Sequence, residues 1–275
     1  MNTRKCDTVH VPLPGRGNLR VYVSFDRERT DWAVLYVHGF GSTMSGKKSE
    51  AVERSCAKRG WTYASFDFRG HGQSTGTLLE LSGSRLLEDL ETVRNHLVER
   101  GIPKLCLVGS SMGGWASAWF THQHPRSIIA CVLIAPAFDF LRSRWEALSD
   151  DERERWRQTG RHRIHNQWVD AEVGFGMVEE IDLFPVDRLA SGLARPMLIF
   201  HGLRDDVVPF GGSVAMLQQA AYADMELRIY RNGDHRLLDY MDVIAESACE
   251  FFASRSRAEQ KQGLLTFLDS SIGET

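Results

Sequence analysis

The sequence has no apolar run approaching the roughly 18 residues that cross a bilayer, so neither a membrane-spanning helix nor stable membrane insertion is expected. It has no surplus of positive charge. With 33 Lys and Arg against 36 Asp and Glu, its net charge of −3 offers a nucleic-acid backbone little to bind. Cysteine is sparse and unpatterned. Cys6, Cys56, Cys106, Cys131 and Cys249 form no C-x-x-C pair, and their odd number argues against a disulfide framework and for a reducing, cytoplasmic setting. No apolar stretch follows Met1-Asn2-Thr3-Arg4-Lys5, so no secretory signal is expected, and a short opening segment carrying Asp7 does not read as a transit peptide. Repeats and low-complexity tracts are missing. So is any cluster with metal-ligand spacing: His162 and His165 lie close together without further ligands, and neither metal nor cofactor is expected.

What is present is a succession of short apolar runs with room for helices between them. Strands are predicted at 20–25, 33–37, 63–68, 105–108, 130–135, 197–200 and 226–230, and helices at 47–59, 84–99, 112–122, 212–221 and 240–253. Several runs are apolar throughout rather than alternating, the pattern of a parallel sheet covered on both faces. Alternating strands and helices predict an α/β domain with right-handed crossovers. About 60 residues separate the strand ending near Ala135 from the one starting at Met197, far more than a crossover needs. This interval predicts a small inserted cap at 138–189, with the core formed by 1–137 and 190–275. The aromatics Phe138, Phe140, Trp145, Trp156, Trp168 and Phe175 suit a cap with an apolar underside. The final stretch, 255–275, reads as either a docked helix or a frayed tail.

The most informative run is Gly109-Ser110-Ser111-Met112-Gly113, a G-x-S-x-G sequence between an apolar strand and a helix of small and apolar residues. A sharp strand-to-helix turn exposes its central serine, and glycines on either side avoid collisions with neighbouring elements. Serine becomes a nucleophile only when a base takes its proton, a carboxylate orients that base, and donors face the oxyanion that forms. Ser111 is the candidate nucleophile. His201-Gly202-Leu203-Arg204-Asp205-Asp206-Val207-Val208-Pro209 follows a late strand and supplies the acid at Asp205, with Asp206 as the alternative. His235, in Asn232-Gly233-Asp234-His235, follows the last strand and is the candidate base among ten histidines. His38 and His201, each before a glycine at a strand end, read as loop-holding residues. The backbone N–H of Met112, and that of Phe40 in His38-Gly39-Phe40-Gly41-Ser42, are the candidate oxyanion donors. Phe40, Phe138 and Trp145 are the residues expected to contact substrate.

The chain order Ser111, Asp205, His235 resembles that of the α/β-hydrolase superfamily over about residues 20–255. Asp67-Phe68-Arg69-Gly70-His71-Gly72-Gln73-Ser74 is similar to the superfamily's D-x-R-G-H-G-x-S loop, which is structural, so His71 is kept out of the site. The elbow with Gly114-Trp115, the Asp205 to Pro209 stretch and Asp234-His235-Arg236 resemble an acyl-protein thioesterase and acyl-glucuronide esterase branch, and also single-domain cinnamoyl and feruloyl esterases. The resemblance implies the α/β-hydrolase fold and hydrolysis of a small-molecule ester or thioester through an acyl-serine. Two other readings stay open: a small serine peptidase or amidase, and a non-catalytic binding protein on the same fold. Acyl group, leaving group and oligomeric state are not legible.

Overall fold

The computed structural model describes residues 4–25, 30–165, 169–221 and 224–272, with side chains described as far as Glu259. Eight strands form one sheet: β1 (Lys5–Pro12), β2 (Asn18–Phe25), β3 (Trp32–Val37), β4 (Thr62–Phe66), β5 (Lys104–Ser110), β6 (Ile128–Ile134), β9 (Met197–Gly202) and β10 (Met225–Tyr230). Their order across the sheet is β1-β2-β4-β3-β5-β6-β9-β10. Pairings from β4 to β10 are parallel, and β2 runs antiparallel to both of its neighbours. The expected strands are all there. β1 is additional, an edge strand whose residues are mostly exposed or half-exposed.

The apolar strands are covered on both sides. On β5, Leu105 and Leu107 join the core under α2 (Gly83–Glu99), α3 (Met112–Gln123), α7 (Val186–Gly192) and α8 (Gly211–Gln219). Cys106 and Val108 of the same strand point the other way, to the core under α1 (Lys47–Lys58) and α9 (Met241–Ile272). This period-2 division recurs on β6, where Leu133 faces one layer and Val132 the other. Each such side chain, removed from water, contributes about 1.5–3 kcal/mol. Cys106 and Cys131 are fully buried strand residues.

The long interval between β6 and β9 folds as α4 (Phe140–Glu146), α5 (Asp150–Thr159), a hairpin of β7 (Arg161–His165) with β8 (Asp170–Gly174), and α6 (Gly176–Glu179). A capping box opens α5, in which Ser149 N–H donates to Glu152, and Gly160 closes it with φ 70°. The hairpin was not expected. α7 packs on α3 and α8 as the crossover helix of the core, so helical cover of the sheet begins before residue 189. Trp168, counted among the cap aromatics, lies outside the described residues. The last helix runs on well past the expected 253.

Candidate active site

β5 delivers Ser111 into a turn with φ 55° and ψ −117°, a left-handed conformation that non-glycine residues rarely adopt, and α3 starts at the next residue. This backbone can be held because the elbow is pressed between its neighbours. A Cβ at Gly113 would collide with the carbonyl oxygens of Val37 and His38. The turn holds Ser111 Oγ out of the sheet at the positive end of α3.

Two loops converge on that hydroxyl. After β9, Asp205 folds back and is 8% exposed, whereas Asp206 is exposed. Asp205 Oδ1 accepts from the N–H groups of Val207 (3.0 Å) and Val208 (2.8 Å). After β10, Asp234 Oδ1 accepts from Arg236 and Leu237 N–H, a turn that presents His235. The two loops are tied together where Arg204 N–H donates to Gly233 O at 2.9 Å. His235 Nδ1 lies 2.8 Å from Asp205 Oδ2, and its Nε2 lies 3.1 Å from Ser111 Oγ. Hydrogen bonds from His201, His235 and Val208 outweigh burial and hold the Asp205 carboxyl below its ordinary range, so it is an acceptor. His235 Nδ1 therefore carries the proton, and Nε2 is free to accept from the Ser111 hydroxyl.

His201 has a place that sequence reasoning missed. As expected of a loop-holding residue, its Nε2–H donates to Val208 O (2.9 Å). The same N–H also reaches Asp205 Oδ2 (3.1 Å), the oxygen that serves His235. The two acceptors at Nε2 fix that tautomer, and the Ser213 hydroxyl, 2.8 Å from Nδ1, donates to it. Asp205 thus accepts four N–H groups. The H-G-x-x-D spacing was the available signal, but only the backward turn of the loop brings the two side chains together.

The loop over Ser111 passes so close that a Cβ at Gly39 would stand 3.2 Å from Ser111 Cβ. Among the described residues, the N–H groups of Phe40 and Met112 have no protein acceptor. The D-x-R-G-H-G-x-S stretch braces this loop from behind. Asp67 Oδ1 accepts from Met44 N–H (2.7 Å), and His71 Nε2 accepts from Gly41 N–H (3.2 Å). His38 Nε2 accepts from Phe68 N–H (3.0 Å). Burial pushes His38 down to about 3 and also lowers His71, which keeps both rings neutral acceptors.

A cavity of about 550 Å³ opens above Ser111 and His235. Its apolar wall includes Phe40, Phe140, Leu148 and Val169. Phe40 and Phe140 face each other, their ring centroids 6.3 Å apart. Two of the expected substrate contacts need correction. Phe138 does not line the cavity, because it is buried in the core beneath the sheet's helices. Trp145 does not line it either. Trp145 packs instead against Trp156 and Phe175 of the same interval, with the Arg153 and Arg157 guanidinium groups over its ring. Phe140 and Arg144, on the face of α4 that Trp145 leaves, line the cavity instead, along with Lys48 of α1. A charged residue on a short helix carries no local signal that marks it as pointing inward. Among the described residues no His, Cys and carboxylate group could hold a metal ion, and no helix is long and apolar enough to cross a membrane.

The family described as serine aminopeptidase, S33 matches residues 28–172. Palmitoyl-protein thioesterase ABHD10, mitochondrial, of Bos taurus is 26% identical over 213 residues, covering 76% of this chain and 69% of the relative. The solved structure of mouse alpha/beta hydrolase domain-containing protein 10 superposes with a TM-score of 0.78 at 22% identity, covering 92% of this chain and 99% of that one. Est1E of Butyrivibrio proteoclasticus, solved with ferulic acid, also superposes at 0.78, with 19% identity and coverage of 90% and 99%.

Proposed function

The chain belongs to the serine aminopeptidase S33 family and is an α/β hydrolase of the carboxylic-ester type; on that premise we propose that it cleaves small-molecule esters or thioesters through an acyl-serine intermediate. Ser111 Oγ attacks the carbonyl carbon while His235 Nε2 takes its proton, and Asp205 holds the imidazole and stabilises the imidazolium. The N–H groups of Phe40 and Met112, with the positive end of α3, face the tetrahedral oxyanion. His235 then passes its proton to the leaving oxygen or sulfur, and afterwards activates the water that releases the acid. The observation that carries this reading is the unbroken hydrogen-bonded chain from Asp205 through His235 to Ser111 at the mouth of a cavity.

The family's description names a peptidase. An aminopeptidase needs a carboxylate to hold the substrate's ammonium, and among the described residues no Asp or Glu lines the cavity. The ester reading is therefore preferred. The cytoplasm is the location that the scarce, unpatterned cysteines support.

The test is hydrolysis of a p-nitrophenyl ester series and an acyl thioester by wild type and Ser111→Ala. The proposal expects turnover that falls by at least about 10³-fold in the variant. Wild type inactive on every ester and thioester, or a variant that retains activity, would overturn it.

A further inference from the structure

Four cationic side chains, Lys47, Lys48, Arg144 and Arg236, line the cavity above Ser111, and among the described residues no acidic one does, although acids outnumber bases in the chain. For Arg144 this placement is not explained by ion pairing among the described residues. Four other arginines of the segment have carboxylate partners: Arg142 with Asp182 (2.8 Å), Arg153 with Asp150 (3.2 Å), Arg157 with Glu154 (2.6 Å) and Arg163 with Asp170 (2.6 Å). Among the described residues Arg144 has no acidic partner, and it is partly buried on the cavity face of α4. Burial lowers its pKa with no opposing carboxylate to offset the effect. A desolvated guanidinium without a counter-charge is costly, and its planar fork fits an oxyacid anion.

Lys48, in the first turn of α1, lines the same cavity. Its ammonium donates to Ser110 Oγ at 2.8 Å, which fixes it one residue from the nucleophile and leaves further N–H donors. Burial and the neighbouring Arg236 push Lys48 down to about 8, against the pull of Asp234 and Asp205. The same cavity wall carries the apolar side chains of Phe40, Phe140 and Leu148. The cavity therefore offers apolar side chains and two partly buried cationic positions.

We infer that this cavity selects esters or thioesters carrying an oxyacid anion, a carboxylate or a phosphate, with Arg144 and Lys48 as the specificity-determining residues that hold the anion while the carbonyl sits on Ser111. The inference rests on the ester-hydrolase reading and names the substrate class within it.

The test compares matched pairs of substrates. For an anion on the acyl side, these are 4-nitrophenyl hexanoate and mono-4-nitrophenyl adipate. For an anion on the leaving group, phenyl hexanoate is compared with 4-(hexanoyloxy)benzoate and 4-(hexanoyloxy)phenyl phosphate, which separate carboxylate from phosphate. The anionic member of at least one pair is expected to have the higher kcat/KM, by roughly 10-fold or more, the size of a charge-assisted hydrogen bond. That ratio should collapse in Arg144→Gln, fall in Lys48→Gln and partly recover in Arg144→Lys. Neutral members preferred in every pair, or a ratio untouched by Arg144→Gln, would overturn the inference and leave the ester-hydrolase reading standing. Should no ester be turned over, that reading falls, and calorimetry with adipate and inorganic phosphate on Ser111→Ala decides the anion site separately. Binding weakened about 10-fold or more by adding Arg144→Gln supports it, and equal or undetectable binding by both proteins overturns it.

Discussion

At the level of single residues, the arrangement assigns distinct duties to groups that look alike in sequence. His235 and His201 both donate to Asp205 Oδ2, but only His235 reaches Ser111. On the proposed mechanism His201 acts through Asp205 and so is a positioning residue. His201→Leu removes the donor and is expected to lower kcat about 10-fold, with KM little changed. His201→Gln, whose amide can still donate, should keep more of that rate. Equal kcat values for the two variants in steady-state kinetics would show that the N–H to Asp205 does not matter. The convergence of Ser111, Asp205 and His235 was legible because acyl-transfer chemistry demands particular residue types at strand ends, and the chain supplies them there. Lys48 and Arg144 were not, since a cation in the first turn of a helix or in a charge-rich segment ordinarily reads as a solvated face. Phe138 and Trp145 misled because a large aromatic near a site suits core packing as well as substrate contact.

Among the elements, the elbow between β5 and α3 is the least tolerant. Gly113→Ala would drive a methyl into the carbonyls of Val37 and His38, so β3 or α3 must shift. The variant is expected to lose about 3 kcal/mol or more of stability, a value at the severe end for a point substitution, measurable by chemical denaturation. A loss below about 0.5 kcal/mol would mean that the close approach is not rigid. The buried parallel strands were legible because their apolar runs are continuous. β1 was not, because an edge strand with mostly exposed positions has too little apolar alternation. The β7–β8 hairpin was hidden for a related reason. Arg161–His165 and Asp170–Gly174 contain few apolar residues, and Ile164 and Val173 are the ones that bury. Across the hairpin, Arg163 pairs with Asp170, and Arg161 lies near Glu172, contacts whose register no local pattern announces.

Over the whole molecule, acid should act through the buried histidines that brace the loop over Ser111. His38, held at about 3, and His71, also lowered, lie below the ordinary histidine value of about 6.5. Their neutral forms are native, so the stability they contribute is complete above about pH 6.5. It is lost as pH falls toward their folded values, at up to about 1.4 kcal/mol per pH unit for each ring. Denaturation midpoints should therefore drop between pH 7 and pH 4, and His38→Gln should flatten part of that slope. A stability that does not change over this window would contradict the assignment of both rings as neutral acceptors. The central claim, that Ser111 is a nucleophile activated by His235, is tested most directly by treating the intact protein with a fluorophosphonate and mapping the adduct by mass spectrometry. The account predicts one adduct per chain, on the peptide containing Ser111, and its loss in both Ser111→Ala and His235→Ala. No adduct on the wild-type protein, or an adduct that persists in Ser111→Ala, would contradict it.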